Sequence, residues 1–392
     1  MSLAVISVCA FASADCSAQD SANSGTTRFV LNGNRMYAEL GFVRPDCSVH
    51  RALAFVDMGS PSMLVGAALF DSLHLDQQHP LVFTVEKLRI AVPVADVTSV
   101  HRQPFSVGSD LDVEAMLPAG VLQRYRVEID YRKRTMTFAE GSTRAPEGIA
   151  VPFQINPQTG LIAVDALIDG RHYPITIDNG SAYTWIRGDS ASSWLTSHPG
   201  WAHGVGAVGT SNMTMTGDGT ETKGTMMRIP AIAIGPLVVR DVGALAAGAG
   251  ATITGNLSLF DWYARKNAVP VIGWIGGNVL KHYRVTIDYP NRMMYWVKQS
   301  ELDGHEIDQV GLTLRSDEGA IYVAAIATKS GRATVEGVLP GDKLIRVGDL
   351  EISKASHGAI YDALHGRPGE SRTLVLERDG ARITVNATVT AF

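Results

Sequence analysis

Two stretches of the chain alternate apolar and polar residues with period two, Arg126-Val127-Glu128-Ile129-Asp130-Tyr131 and Arg284-Val285-Thr286-Ile287-Asp288-Tyr289. That alternation predicts half-buried strands. Each is preceded by a segment that predicts a single helical turn, Val121 to Tyr125 and Val279 to Tyr283. Each is followed by a turn, Arg132-Lys133 and Pro290-Asn291. Laid side by side, residues 121–138 (VLQRYRVEIDYRKRTMTF) and 279–296 (VLKHYRVTIDYPNRMMYW) agree at ten of 18 positions. Phe55-Val56-Asp57-Met58-Gly59-Ser60 parallels Thr176-Ile177-Asp178-Asn179-Gly180-Ser181, and Met36 to Leu40 parallels Ile162 to Ala166. The order strand, Asp-x-Gly-Ser, spacer, YRVxIDY therefore occurs twice, which is an internal duplication. The second spacer is longer by about 37 residues, placed by composition in the Gly- and Thr-rich stretch His203 to Gly224.

The texture changes near residue 301. Glu301 to Asp308 is charged and reads as a linker. Gly311-Leu312-Thr313-Leu314, a strand over Ile321 to Ile326, a turn at Leu339 to Leu344, a short amphipathic helix over His357 to His365 and a hairpin turn at Asp379-Gly380 follow. At the other end, Leu3 to Ala14 is an apolar run of 12 residues. A membrane-spanning helix needs about 20, so the run reads as the core of a secretory leader ending in Ala12-Ser13-Ala14. Met1-Ser2 supplies none of the usual basic residues before it. The uncharged stretch Val242 to Phe260 reads as loop and short strand, so no stable membrane span is expected. The division expected is a leader over 1–24, a first lobe over 25–148, a second over 149–300 and a third domain over 301–392.

Composition narrows the class. The 392 residues are 45% hydrophobic and 19% charged, with a net charge of −5. A chain of this kind can build real cores, and it lacks the basic footprint of a nucleic-acid binder. The 39 glycines, with abundant Val, Ile and Thr, indicate a turn-rich, mainly β protein. Cys16 and Cys47 would survive removal of the leader and could pair in an oxidising compartment or remain two thiols.

Several chemistries are excluded. Eleven histidines and three cysteines come without a His-Glu-x-x-His motif, so no metal and no cofactor are expected. Gly204-Val205-Gly206-Ala207-Val208-Gly209 fits a dinucleotide-loop pattern but is followed by a β-like Thr/Met segment rather than a helix. No Gly-x-Ser-x-Gly elbow is present. Met213, Met215, Met226 and Met227 read as strand packing.

What remains is the duplicated Asp-x-Gly-Ser. Each aspartate ends an apolar strand. The glycine two residues on permits a tight turn and close approach of a second backbone. The serine could hydrogen-bond the carboxylate. Two such loops meeting across a pseudo-twofold axis would hold two carboxylates about 3 Å apart, which cannot both ionise and so share a proton. One then serves as general base for a water and the other as acid. Asp130 and Asp288 are duplicated too, and read as structural ion-pair partners of Arg126 or Arg284.

On these residues the repeated unit resembles the retropepsin-like aspartic proteases, and 25–300 resembles their bilobal, pepsin-type arrangement. The resemblance implies two β-barrel lobes and peptide-bond hydrolysis. It assigns Asp57 and Asp178 as the catalytic pair, supported by Gly59, Ser60, Gly180, Ser181 and Gly276. Gly276 ends Trp274-Ile275-Gly276, which is similar to the family's hydrophobic-hydrophobic-Gly element. Residues 310–390 resemble a bacterial PDZ domain, an α+β fold. In it Gly311, Leu312, Thr313 and Leu314 would form the carboxylate-binding loop for peptide termini. The expected partners are polypeptide substrates and peptide ends, with no nucleic acid, and the expected location is periplasmic or secreted. The sequence departs from the family at three places. Met58 and Asn179 stand where Thr or Ser is usual, and the first lobe has Met116-Leu117-Pro118 in place of the Gly-terminated element. No flap hairpin with a tyrosine at its tip is legible. Two functions stay open, an exported aspartic endopeptidase and a binding or scaffold protein that kept the fold without turnover.

Overall fold

The computed structural model describes residues 22–76, 79–101, 111–141, 145–206, 222–247, 252–254 and 257–392, with backbone alone for 252–254 and 257–258. The leader, Cys9, Cys16, Met213, Met215 and Ala207 to Gly209 lie outside the described residues. Cys47 is disulfide-bonded.

The protein is mainly β, with barrel-like sheets in two lobes of matching plan. In the first lobe, strand Val49–Asp57 delivers Asp57 and runs parallel to Val113–Pro118, with Asp57 opposite Pro118. Strand Met63–Gly66, just after the Asp57 loop, pairs antiparallel with Val113–Pro118 and parallel with Val97–Val100. The second lobe repeats each step. Arg171–Ile177 delivers Asp178 and runs parallel to Gly273–Ile275, which pairs antiparallel with Thr184–Arg187. Thr184–Arg187 in turn runs parallel to Leu237–Ala247. Pairing of Ile162–Ile168 with both Arg171–Ile177 and Thr225–Ile234 closes the second lobe's barrel.

The YRVxIDY segments form strands Arg126–Asp130 and Tyr283–Asp288, as their alternation predicts. They pair with each other antiparallel across the lobes, Val285 opposite Ile129. The expected helical turns are present about two residues upstream of their predicted positions, as Ala119–Leu122 and Gly277–Leu280. The alternating faces of these strands bury Val127, Ile129, Val285 and Ile287 in one core that runs through both lobes.

The ion pairing of the duplicated acids is more specific than the sequence implied. Arg126 Nε donates to Asp288 Oδ2 at 2.9 Å, so the pair joins the two lobes. Asp130 instead accepts from Gln299 Nε2 at 2.8 Å and lies 3.6 Å from Lys133 Nζ. Arg284 pairs with Glu147.

Residues 312–388 carry a further six-stranded sheet, with helix His357–Leu364 packed on its strand Lys343–Val347 and a separate hydrophobic core around Leu312, Leu344, Leu364 and Leu376. This unit is sewn to the second lobe. Thr328 pairs with Val205. The ring of Phe392 occupies the space that a side chain at Gly204 would fill, and Phe392 is fully buried in a cluster with Trp185, Trp274 and Met226. Among the described residues, no helix is long and apolar enough to cross a membrane.

Candidate active site

Each aspartate is fixed at the end of its strand by the turn that follows. Gly59 N–H donates to Asp57 Oδ1 at 2.9 Å, and Gly180 N–H donates to Asp178 Oδ1 at 2.9 Å. The tight turns bring the two loops face to face. A methyl group at Gly180 would lie 2.5 Å from Asp57 Oδ1, and one at Gly59 would strike the Asp178 carboxylate. Glycine is required here for space, since neither residue has a positive φ. The two carboxyl groups face the same junction, each against the glycine of the opposite loop, and each acts on the other's ionisation. Asp57 is 6% exposed and Asp178 is 2% exposed.

Burial raises the affinity of both acids for protons. Asp57 is pushed well above the usual carboxylate range, first by desolvation and then by the neighbouring Asp178 charge. Asp178 is raised by desolvation and pulled back by Gly180 N–H, by the neighbouring Asp57 carboxyl and by Tyr263. The pair titrates as a unit and can hold one proton between two oxygens. One neutral and one charged carboxyl, side by side in a dry site, can take a proton from one group while giving a proton to another.

The loops are anchored to the neighbouring strands alike in both lobes. Ala119 N–H donates to Ser60 O at 2.9 Å, and Gly277 N–H donates to Ser181 O at 2.8 Å. Pro118 and Gly276 therefore occupy equivalent stations, with nearly the same extended backbone (φ −94° and −97°). At Pro118 the φ is more negative than the roughly −65 ± 15° a proline ring prefers, and the residue closes its strand. Gly276 has a different requirement, since a side chain there would run into the backbone of Tyr183.

Ser60 and Ser181 do not direct their hydroxyls as the sequence suggested. Ser181 Oγ donates to Tyr183 O at 2.8 Å, and Ser60 Oγ to Ser62 O at 3.4 Å. Each serine sits just past the glycine that faces the opposite acid, and its hydroxyl ties its own loop, at Ser181 within the buried interior.

The Met58 and Asn179 departures produce a one-sided latch between the loops. Met58 N–H donates to Asn179 Oδ1 at 2.9 Å, and Asn179 Nδ2 points to Met36 Sδ at 3.3 Å. Met58 itself is buried in the core.

Two residues at the site carried no signal in the sequence pattern. Arg35, buried at the start of its strand, donates from Nε to Gly180 O at 3.2 Å, reaching from the first lobe to the second loop. Tyr263, on helix Leu259–Lys266, donates from its hydroxyl to Asp178 Oδ2 at 3.2 Å. Neither has a counterpart in the repeat, which was the only pointer to this site.

Gly311, Leu312, Thr313 and Leu314 lie far from the acids in sequence and belong to the C-terminal sheet. All four are buried. Leu312 and Leu314 face that unit's own core, and Thr313 Oγ1 donates to Gly206 O of the second lobe at 3.1 Å.

No family model matches the chain, and no curated protein matches it. Among solved structures, the chain is similar to an aspartic proteinase from Irpex lacteus at 10% identity and a TM-score of 0.43, over 71% of this chain and 98% of that one. A likeness that loose says nothing about chemistry.

Proposed function

We propose that the protein is an aspartic-type endopeptidase whose Asp57 and Asp178 activate a water for attack on a peptide carbonyl. One observation carries this reading: two aspartates delivered by duplicated strands meet in a buried site, each carboxyl packed against the turn glycine of the other's loop. The charged carboxylate takes a proton from the water as its oxygen bonds to the carbonyl carbon. The neutral partner gives its proton to the developing oxyanion. Return of a proton to the amide nitrogen then lets the C–N bond break, with no covalent enzyme intermediate. In the test, Asp57→Asn and Asp178→Asn each abolish cleavage of an unfolded protein. Retained cleavage by either variant overturns the mechanism.

We read the protein as exported, to the periplasm or outside the cell. The disulfide at Cys47 supports this, because such bonds persist in oxidising compartments. We read residues 301–392 as a PDZ-like module that takes peptide ends by strand addition beside Gly311 to Leu314. The contact of Thr313 with Gly206 would make such capture felt in the second lobe.

A second reading, peptide binding without turnover, is favoured by the same site. The latch between loops is one-sided, and both acids are almost fully covered. It predicts peptide affinity with no hydrolysis at any pH from about 3 to 8, and hydrolysis on placing Thr at both 58 and 179.

A further inference from the structure

The two acids are twins by descent but not by surroundings. Asp57 accepts from Gly59 N–H and lies in the field of the Arg35 guanidinium, which favours its charged form while its Nε donates to Gly180 O. Asp178 accepts from Gly180 N–H and also from the Tyr263 hydroxyl. With the serine hydroxyls turned to backbone carbonyls, Tyr263 is, among the described residues, the side-chain hydroxyl seen to bond the pair, and it meets one member. A methyl group on Gly59 would lie 2.5 Å from this hydroxyl, so the oxygen sits directly over the junction of the two loops.

The ring is held by several independent elements. It packs on Trp274 with centroids 4.8 Å apart, and Trp274 stacks on Trp185 at 5.8 Å. Trp274 belongs to the strand whose next residue, Ile275, accepts the Asp178 N–H through its carbonyl. The end of the Tyr263 helix is fastened to another loop of the same lobe, where Thr159 Oγ1 donates to Lys266 O at 2.7 Å. Burial, followed by the charge on Asp178, keeps the phenol protonated and hence a donor throughout the working range.

We propose that Tyr263 is a positioning residue that settles the charge of the pair on Asp178 and the shared proton on Asp57. A donor aimed at one oxygen stabilises the charged form of that carboxyl over its partner. Asp178 then acts as the base toward water and Asp57 as the acid toward the carbonyl oxygen. This assignment of roles rests on the endopeptidase reading; the placement of charge does not.

The test is Tyr263→Phe in the full chain, which keeps the stacking ring and removes the donor. Two readouts are taken. The pH profile of kcat/KM has an acid limb set by the first ionisation of the pair, and loss of the donor moves that limb upward by about one pH unit. Carboxyl 13C NMR of aspartate-labelled protein follows the same ionisation without turnover, and shows Asp178 losing its proton first in the wild type and later in the variant. A ring-fluorinated tyrosine at 263, a stronger donor, moves the limb the other way and serves if the Phe variant folds poorly. An unmoved limb and titration overturn the proposal, as does first ionisation at Asp57. Activity that rises equally at every pH also overturns it, since that marks Tyr263 as an obstruction. If the wild type cleaves nothing, the endopeptidase reading fails, and the NMR titration still decides the placement of charge.

Discussion

Met58 and Asn179 join the two lobes at the acid pair, the amide N–H of the first donating to the side-chain oxygen of the second at 2.9 Å. Each stands where the resembled family carries a hydroxyl. The link runs one way, from the Met58 amide to the Asn179 side chain, since Met58 has no side-chain oxygen to accept a bond in return. Asn179→Ala leaves the buried Met58 N–H without this acceptor. The expected cost is about 1–3 kcal/mol in urea unfolding. Cleavage also falls in the variant, if the protein is an endopeptidase. Stability and activity both equal to wild type would show that the latch holds nothing.

The Arg126–Asp288 pair should matter more than an ordinary surface ion pair. Its side chains are 14% and 3% exposed and it bridges the lobes. Arg126→Ala strands a buried carboxylate and is expected to cost about 3 kcal/mol. Arg126→Met combined with Asp288→Leu should recover most of that loss, because removing both charges also removes the desolvation penalty. Chemical denaturation of the single and double variants checks both statements, and a double variant no better than Arg126→Ala contradicts the second.

Glu306 predicts a pH dependence of stability. Its carboxyl is buried between the linker and the second lobe, accepting from Asn278 Nδ2 at 2.8 Å and Gly243 N–H at 3.2 Å. Burial pushes it up to about 7 from an ordinary 4.5. The folded chain therefore holds a proton that the unfolded chain has released, and stability falls as pH rises between those two values. The loss reaches about 3 kcal/mol by neutral pH. Glu306→Gln should flatten that slope, as read from urea midpoints at several pH values. An unchanged slope assigns the dependence to other groups.

The residues explain what was legible. Duplication exposed Asp57 and Asp178 because the turn glycines and the alternating strands must be kept wherever two loops meet closely; one copy alone is a common turn. Mainly β architecture followed from period-two segments such as Arg126 to Tyr131. Partners chosen by three-dimensional proximity were not legible. Arg126 and Asp288 are brought together only by the pairing of strands 162 residues apart. The serine hydroxyls went to their own loops because the glycines, not the serines, face the opposite acid. Tyr263 is in neither copy of the repeat. It lies in a helix just beyond the stretch that read as loop and short strand, and nothing in its spacing points to Asp178.

The seam at Phe392 bears on how the protein can be taken apart. Its ring fills the space beside Gly204 of the second lobe and belongs to the hydrophobic cluster that also holds Trp274 and Tyr263, while Thr328 extends the second lobe's sheet through Val205. A fragment cut at residue 300 would not be a protease lobe minus an accessory. It would be a lobe whose cluster at Gly204 lies open to water, and a dead fragment would reveal nothing about what the removed portion recognises.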